Sequence, residues 1–364
     1  MLSIVEVSGS MQWLTVLLLM VGICGVLAGT VAWLVWGQKQ RDRQVNALRA
    51  VVEERGGSYR SVGTPGGTLS LGGRDGRVTF TTERGDPPKR FTDVVVDLPL
   101  GFSWMRLTPR GFFTGLSMAL GEQDVQIGEP DVDDAFQIKG TSKDVYKLLT
   151  PAVQSTLMQL HDSASSVEVV ATDKEAQLRV RRSGWLDNPE RLAHHLDRCD
   201  ALAEALCVRH AASWHEAAEE TGLTFSSEGL PMLSGTVDDT PVEARLRWDR
   251  GQWLTTIRAT IRAPKGLRIV HIDQGEGHAI SVENPILGMM AHITADDPDA
   301  ARALLADTAL TEELLAVVHG IPGSTVTEDA VTITLPGRLW EELPETVAQA
   351  VRLGVMLNAR SRAT

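Results

Sequence analysis

Glu53-Glu54-Arg55-Gly56-Gly57-Ser58-Tyr59 returns further along the chain as Glu219-Glu220-Thr221-Gly222-Leu223-Thr224-Phe225. Each reads as the end of a helix stopped by glycine and followed by a strand. The register then holds. Leu98-Pro99-Leu100-Gly101-Phe102 corresponds to Ala263-Pro264-Lys265-Gly266-Leu267, a Pro-x-Gly turn between strand-like runs. Glu129-Pro130 with Phe136-Gln137-Ile138 recurs as Asn284-Pro285 with Ala291-His292-Ile293. Leu148-Leu149 answers to Leu304-Leu305, and Gly184 to Asn188-Pro189-Glu190 answers to Gly337 to Leu343-Pro344-Glu345. Landmarks matched in the same order predict an internal duplication, with a first α+β repeat over 58–208 and a second over 209–364.

Within the second copy, Val242, Ala244, Leu246 and Trp248 alternate with Glu243, Arg245, Arg247 and Asp249, the period of a half-buried strand. Arg250-Gly251 turns the chain, and Trp253, Thr255, Ile257, Ala259 and Ile261 form one face of the next strand, so a meander is expected. Asp297-Pro298 and Leu343-Pro344 place proline at the first helical position, where its missing N–H costs nothing. Each copy reads as helix, four or five strands, helix, two strands, helix.

Upstream of the first copy, Trp13 to Trp36 contains no charged residue. At about 1.5 Å rise per residue a helix of this length spans a hydrocarbon core of about 30 Å with modest tilt. A cleaved signal peptide fits less well, because residues 1–12 hold no Lys or Arg and the apolar run is too long. The reading is a single transmembrane helix over 13–36 behind a short N-terminal tail, 1–12. Trp13 at one end and Trp33 and Trp36 at the other suit the two interfacial belts. Lys39, Arg41, Arg43, Arg49 and Arg55 all follow the span, so by the positive-inside rule the tail is expected outside and the body in the cytoplasm, giving a single-pass protein of the cell membrane. The basic juxtamembrane helix, 37–57, offers Lys39, Arg41 and Arg43 to anionic lipid head groups; they serve equally as determinants of topology. Gly22, Gly25, Gly29 and Ala32 share one face of the span, with Gly25 to Gly29 a GxxxG, which makes a homodimer or a partner membrane protein the expected associate within the lipid bilayer.

The body is of ordinary globular composition, 43% hydrophobic and 23% charged. Its charge is uneven: of the formal −12, residues 39–208 carry −2 and residues 209–364 carry −9. An acidic distal half speaks against nucleic acid as a partner, since phosphate binding rests on clustered basic residues. Of three cysteines, Cys24 lies in the span, and Cys199 and Cys207 lie eight apart in a helical stretch. That spacing separates their α-carbons by about 12 Å, beyond the reach of a disulfide.

The runs Leu120-Gly121-Glu122-Gln123-Asp124-Val125-Gln126-Ile127-Gly128, Asp133-Asp134-Ala135-Phe136-Gln137-Ile138-Lys139-Gly140 and Leu148-Leu149-Thr150-Pro151 resemble a signature of uncharacterised bacterial membrane-anchored proteins. The resemblance covers this part of the first copy. It implies an α+β fold and a bacterial membrane setting, and brings no activity, cofactor or catalytic residue with it. Glu129 and Pro130 stand where that pattern has Asp and a small or polar residue.

Catalytic signatures are missing: no Walker-type loop, dinucleotide fingerprint, nucleophile elbow or His-Glu-x-x-His. His215-Glu216-Ala217-Ala218-Glu219 has glutamate where a zinc helix needs its second histidine, and reads as a solvated helix. His194, His195, Cys199, Cys207 and His210 are the densest metal-capable set, but the two halves of that set stand about 18 Å apart along one helix and cannot share an ion. Glu129, Asp131, Asp133 and Asp134 form the one dense carboxylate loop, a candidate for Ca²⁺ or Mg²⁺ whose ordinary reading is an exposed turn. Gly111-Phe112-Phe113 to Gly121 is an apolar stretch missing from the second copy, expected to rest on bilayer or core. No cofactor is expected. The leading expectation is a membrane-tethered interaction or scaffold protein. The alternatives are an enzyme with a cleft site using the acidic loop or His271 and His278, and an envelope-facing module of inverted topology.

Overall fold

The computed structural model describes residues 6–60, 64–110, 124–276, 278–321, 323–337 and 341–362. The apolar 111–121 stretch therefore lies outside the described residues. Helix α1 (Glu6–Glu54) contains the whole span and runs on to the first glycine landmark, about 74 Å at the ordinary rise. It is the one helix among the described residues long and apolar enough to cross a membrane.

Two antiparallel eight-stranded sheets follow. The first holds β1 (Ser58–Arg60), β2 (Gly66–Leu71), β3 (Arg74–Glu83), β4 (Lys89–Leu98), β5 (Met105–Pro109), β6 (Phe136–Gly140), β7 (Ser166–Ala171) and β8 (Ala176–Ser183), in the order β1-β2-β3-β4-β8-β7-β5-β6. The second holds β9 (Thr224–Ser226), β10 (Met232–Val237), β11 (Thr240–Asp249), β12 (Gln252–Thr260), β13 (Arg268–His271), β14 (Ala291–Thr294), β15 (Ser324–Thr327) and β16 (Ala330–Pro336), ordered β9-β10-β11-β12-β16-β15-β13-β14. Counted from its own first strand, each sheet has the same order. The helices fall at matching places: α2 (Pro130–Ala135), α3 (Ser142–Leu148), α4 (Pro151–His161) and α5 (Pro189–Thr221) in the first half, then α6 (Pro285–Met290), α7 (Pro298–Leu305), α8 (Thr308–Val318) and α9 (Leu343–Ser361) in the second.

Local chemistry accounts for these elements. Gly56 and Gly222 both take a left-handed conformation, φ +68° and +70°, and end the helix before each first strand. The β2–β3 hairpin turns through Gly72-Gly73 and its counterpart through Asp238-Asp239, all at positive φ, as a two-residue hairpin turn of this hand requires. Asp297 and Asp307 accept backbone N–H bonds at the starts of α7 and α8.

Two features differ from the sequence expectation. Each half has a short helix and a sixth strand, α2 with β6 and α6 with β14, where a strand run alone was expected. Pro130 and Pro285 open those helices, and six residues are too short to show a helical period. The boundary expected after Val208 lies inside the unbroken helix α5, whose interior has no glycine or proline before Gly222 to stop it.

By contact density the chain falls into two compact units, Met1–Val94 with Arg181–Asp197 and Val95–Val180 with Arg198–Thr364. In the first, Leu48, Val51 and Val52 of α1 are buried with Leu69, Leu71, Val78 and Phe80 of the adjoining strands. In the second, Val347, Ala350, Val351 and Leu357 of α9 pack with Ile257 and Ala259 of β12, and a Cβ on Gly354 would lie 2.8 Å from that of Ala259, so the helix sits close on the sheet.

Candidate functional site

The longest apolar surface lies on α1. From Val16 to Trp36 the large apolar side chains are exposed, Leu17, Val26 and Trp33 at 66%, 69% and 69%, and none of the apolar window is buried. Burying so continuous an apolar surface requires lipid or a partner. Gly22, Gly25 and Gly29 have open space where a Cβ would stand, and Gly22 lies in a shallow groove with Leu19, Ile23, Val26 and Leu27. The Thr30 hydroxyl bonds back to the Val26 carbonyl at 2.7 Å, so this polar group is satisfied inside the helix. Lys39, Arg41 and Arg43 are exposed one to two turns beyond Trp36. From Gln44 the helix changes environment, with Gln44, Ala47, Leu48, Val51 and Val52 buried. Arg55 then holds Asp197 at 2.6 Å.

The carboxylate loop is built differently from a cation cradle. Asp133 accepts the backbone N–H groups of Ile127 and Gly128 at 2.9 and 2.8 Å, which fixes the turn into α2. Arg110 donates to the carbonyls of Asp133 and Phe136 at 2.7 and 3.0 Å and pairs with Asp124, which also accepts Ile138 N–H at 2.6 Å. Glu129, Asp131 and Asp134 remain exposed. Among the described residues no three His, Cys, Asp or Glu side chains stand close enough to hold a metal ion.

The histidines are dispersed. His215 edges onto Phe225 at 4.6 Å on the solvated side of α5. His271 stacks on His319 at 5.8 Å, while His292 bonds the Glu276 carbonyl at 3.1 Å. Cys199 is buried in α5, and burial pushes its thiol well up, with Asp200 adding to the shift, so it does not act as a thiolate.

A charged seam that no local pattern reveals lies in the second unit. Glu341 takes Lys147 at 2.5 Å and Arg209 at 2.7 Å, and Arg209 also donates to the Lys147 carbonyl at 2.6 Å. Burial pushes the Glu341 carboxyl up, but hydrogen bonds from Lys147, its own backbone N–H and Arg209 outweigh it and hold the group at about 2. Nearby in sequence, Lys143 approaches Glu342 at 3.7 Å. In the same unit Trp253 donates its indole N–H to the Phe102 carbonyl at 3.0 Å, and Phe102 stacks on the buried His210 at 4.3 Å. Gly101, at φ +101°, makes room there: a Cβ would stand 2.5 Å from Leu246. These links join the Pro-x-Gly turn and α3 of the first sequence repeat to strands and a loop of the second. They are 62 to 199 residues apart in sequence, so no spacing signals them.

Compared with models of known families, with curated proteins and with solved structures, the chain matches none.

Proposed function

We propose that the protein is a single-pass membrane-anchored interaction module. In this reading α1 crosses the bilayer once, and a duplicated α+β body faces the cytoplasm as a scaffold for a partner protein. The observation that carries it is the division of α1. One continuous helix is exposed and apolar from Val16 through Trp36, then buries Gln44, Ala47, Leu48, Val51 and Val52, so the span passes without a linker into the stretch of helix that packs beside the first strands. The matching strand orders support the duplication, and the basic residues after the span support the cytoplasmic orientation. The open glycine face of α1 supports association with a second copy or a partner helix.

The test uses the full chain. After alkaline carbonate washing it should stay with the membrane pellet, a reporter fused after Thr364 should be active only on the cytoplasmic side, and affinity capture in mild detergent should recover a defined partner without turnover of substrate. Release by carbonate ends the anchor reading, and a reporter active only outside reverses the orientation. Unchanged crosslinking in Gly25→Leu with Gly29→Leu removes that face as an interface.

A further inference from the structure

The outer face of the first sheet carries a cleft of about 390 Å³ where β1, β2 and β3 meet, lined by Ser58, Arg60, Gly66, Thr68, Arg77 and Thr79. The strand register places them. Arg60 lies opposite Gly66, which lies opposite Thr79; Ser58 lies opposite Thr68, which lies opposite Arg77. With strands about 4.8 Å apart and same-face residues about 6.8 Å apart along a strand, the two arginine α-carbons are about 12 Å apart on a diagonal over β2. Both guanidinium groups can therefore reach a ligand seated over Gly66 and Thr68, beside the Thr79 methyl, which lies 2.9 Å from where a Gly66 Cβ would stand. Ser58 and Thr68 share a hydrogen bond of 2.8 Å, which leaves each hydroxyl oxygen further capacity. Among the described residues neither Arg60 nor Arg77 is held by a carboxylate or carbonyl, whereas Arg55 and Arg181 nearby in the same unit are both ion-paired.

The second sheet supplies an internal comparison. In matching register Arg60 becomes Ser226, Gly66 becomes Met232, Arg77 becomes Glu243 and Thr79 becomes Arg245, which pairs with Glu243 at 3.4 Å, so there a methionine replaces the glycine and the positive charge is cancelled. Two similar frames thus differ in the groups an oxyanion would need. We propose that this cleft of the first sheet binds a phosphate-class oxyanion, with Arg60 and Arg77 as paired guanidinium forks and the Ser58, Thr68 and Thr79 hydroxyls completing the shell. Guanidinium forks suit an anion with several oxygens, and the cleft has room for a small group esterified to it. The stretch from Gly37 to Glu54 is about 27 Å of helix, which favours a soluble phosphate ester over a head group of the same bilayer.

The experiment uses the full chain in phosphatidylcholine nanodiscs. One arm titrates inorganic phosphate and glycerol 3-phosphate by calorimetry, with acetate as the comparison anion; the other adds phosphatidic acid vesicles and measures co-flotation. Binding in the first arm identifies a free phosphate, and binding only in the second identifies a lipid head group; either upholds the site provided the variants agree. Arg60→Gln and Arg77→Gln should each weaken it about tenfold, the loss expected for one charge-assisted bond. Arg245→Gln, on the second sheet, should leave it unchanged. Both cleft arginines are exposed, so circular dichroism should show the variants folded. No binding in either arm, binding unaffected by the two substitutions, or equal loss in Arg245→Gln overturns the proposal.

Discussion

The dock of α1 onto the first sheet passes through one glycine. A Cβ on Gly67 of β2 would stand 2.6 Å and 2.9 Å from the two γ-methyls of Val52 in α1, and 3.2 Å from the Ser58 carbonyl. Gly67→Ala therefore overpacks a stiff β-branched neighbour at a cost of about 1–3 kcal/mol. Val52→Ala removes buried methyls and leaves a cavity, about 2 kcal/mol. In the double variant the added methyl meets no γ-carbon and partly fills the space left behind, so the two costs should fall short of their sum by about 1–2 kcal/mol. The second sheet, of the same strand order, already uses the opposite pairing. Leu233 stands in the register position of Gly67, and by the glycine-landmark alignment Ala218 takes the place of Val52. Native-state hydrogen exchange of the full chain in nanodiscs, followed by mass spectrometry over 44–54 and 64–71, reads the local opening directly. Gly67→Ala should raise the opening constant by about 5- to 150-fold, and adding Val52→Ala should recover part of that protection. Strictly additive losses, or no loss in Gly67→Ala, would refute the idea that the helix rests on this contact.

Two further outcomes follow from the polar contacts. Arg110→Met should strand the buried Asp124 carboxylate and two carbonyls, costing about 3–5 kcal/mol and exposing 124–140 to limited proteolysis; wild-type resistance would count against that role. Glu341 has its pKa depressed from 4.5 to about 2, so its contribution is present in full above pH 4.5 and is lost as pH falls towards 2. Because its side chain is 52% exposed, screening keeps that contribution to about 1 kcal/mol or less. Glu341→Gln should thus unfold at lower urea than wild type at pH 7, and the gap should close on acidification; a gap that widens would reverse the assignment.

The sequence by itself determined what local chemistry controls. The uninterrupted apolar run in α1, the glycine stops at Gly56 and Gly222, the proline helix starts and the alternation in β11 and β12 are each written within a few residues, because burial period and backbone conformation act at that range. Matched landmarks pointed to a duplication, and the coarse counterpart in the structure is that the two eight-stranded sheets have the same strand order. The short helices α2 and α6 and the unbroken α5 were not legible, since six residues carry no period and a repeat boundary need not be a structural break. Only the tertiary structure decided which charges and pockets exist. It turned Asp133 onto backbone N–H groups, brought Lys147 and Arg209 to Glu341 across more than 130 residues, and set Arg60 and Arg77 on one sheet face. Such groupings depend on strand register and on which distant segments meet, quantities fixed by packing the whole chain and by no single stretch of it.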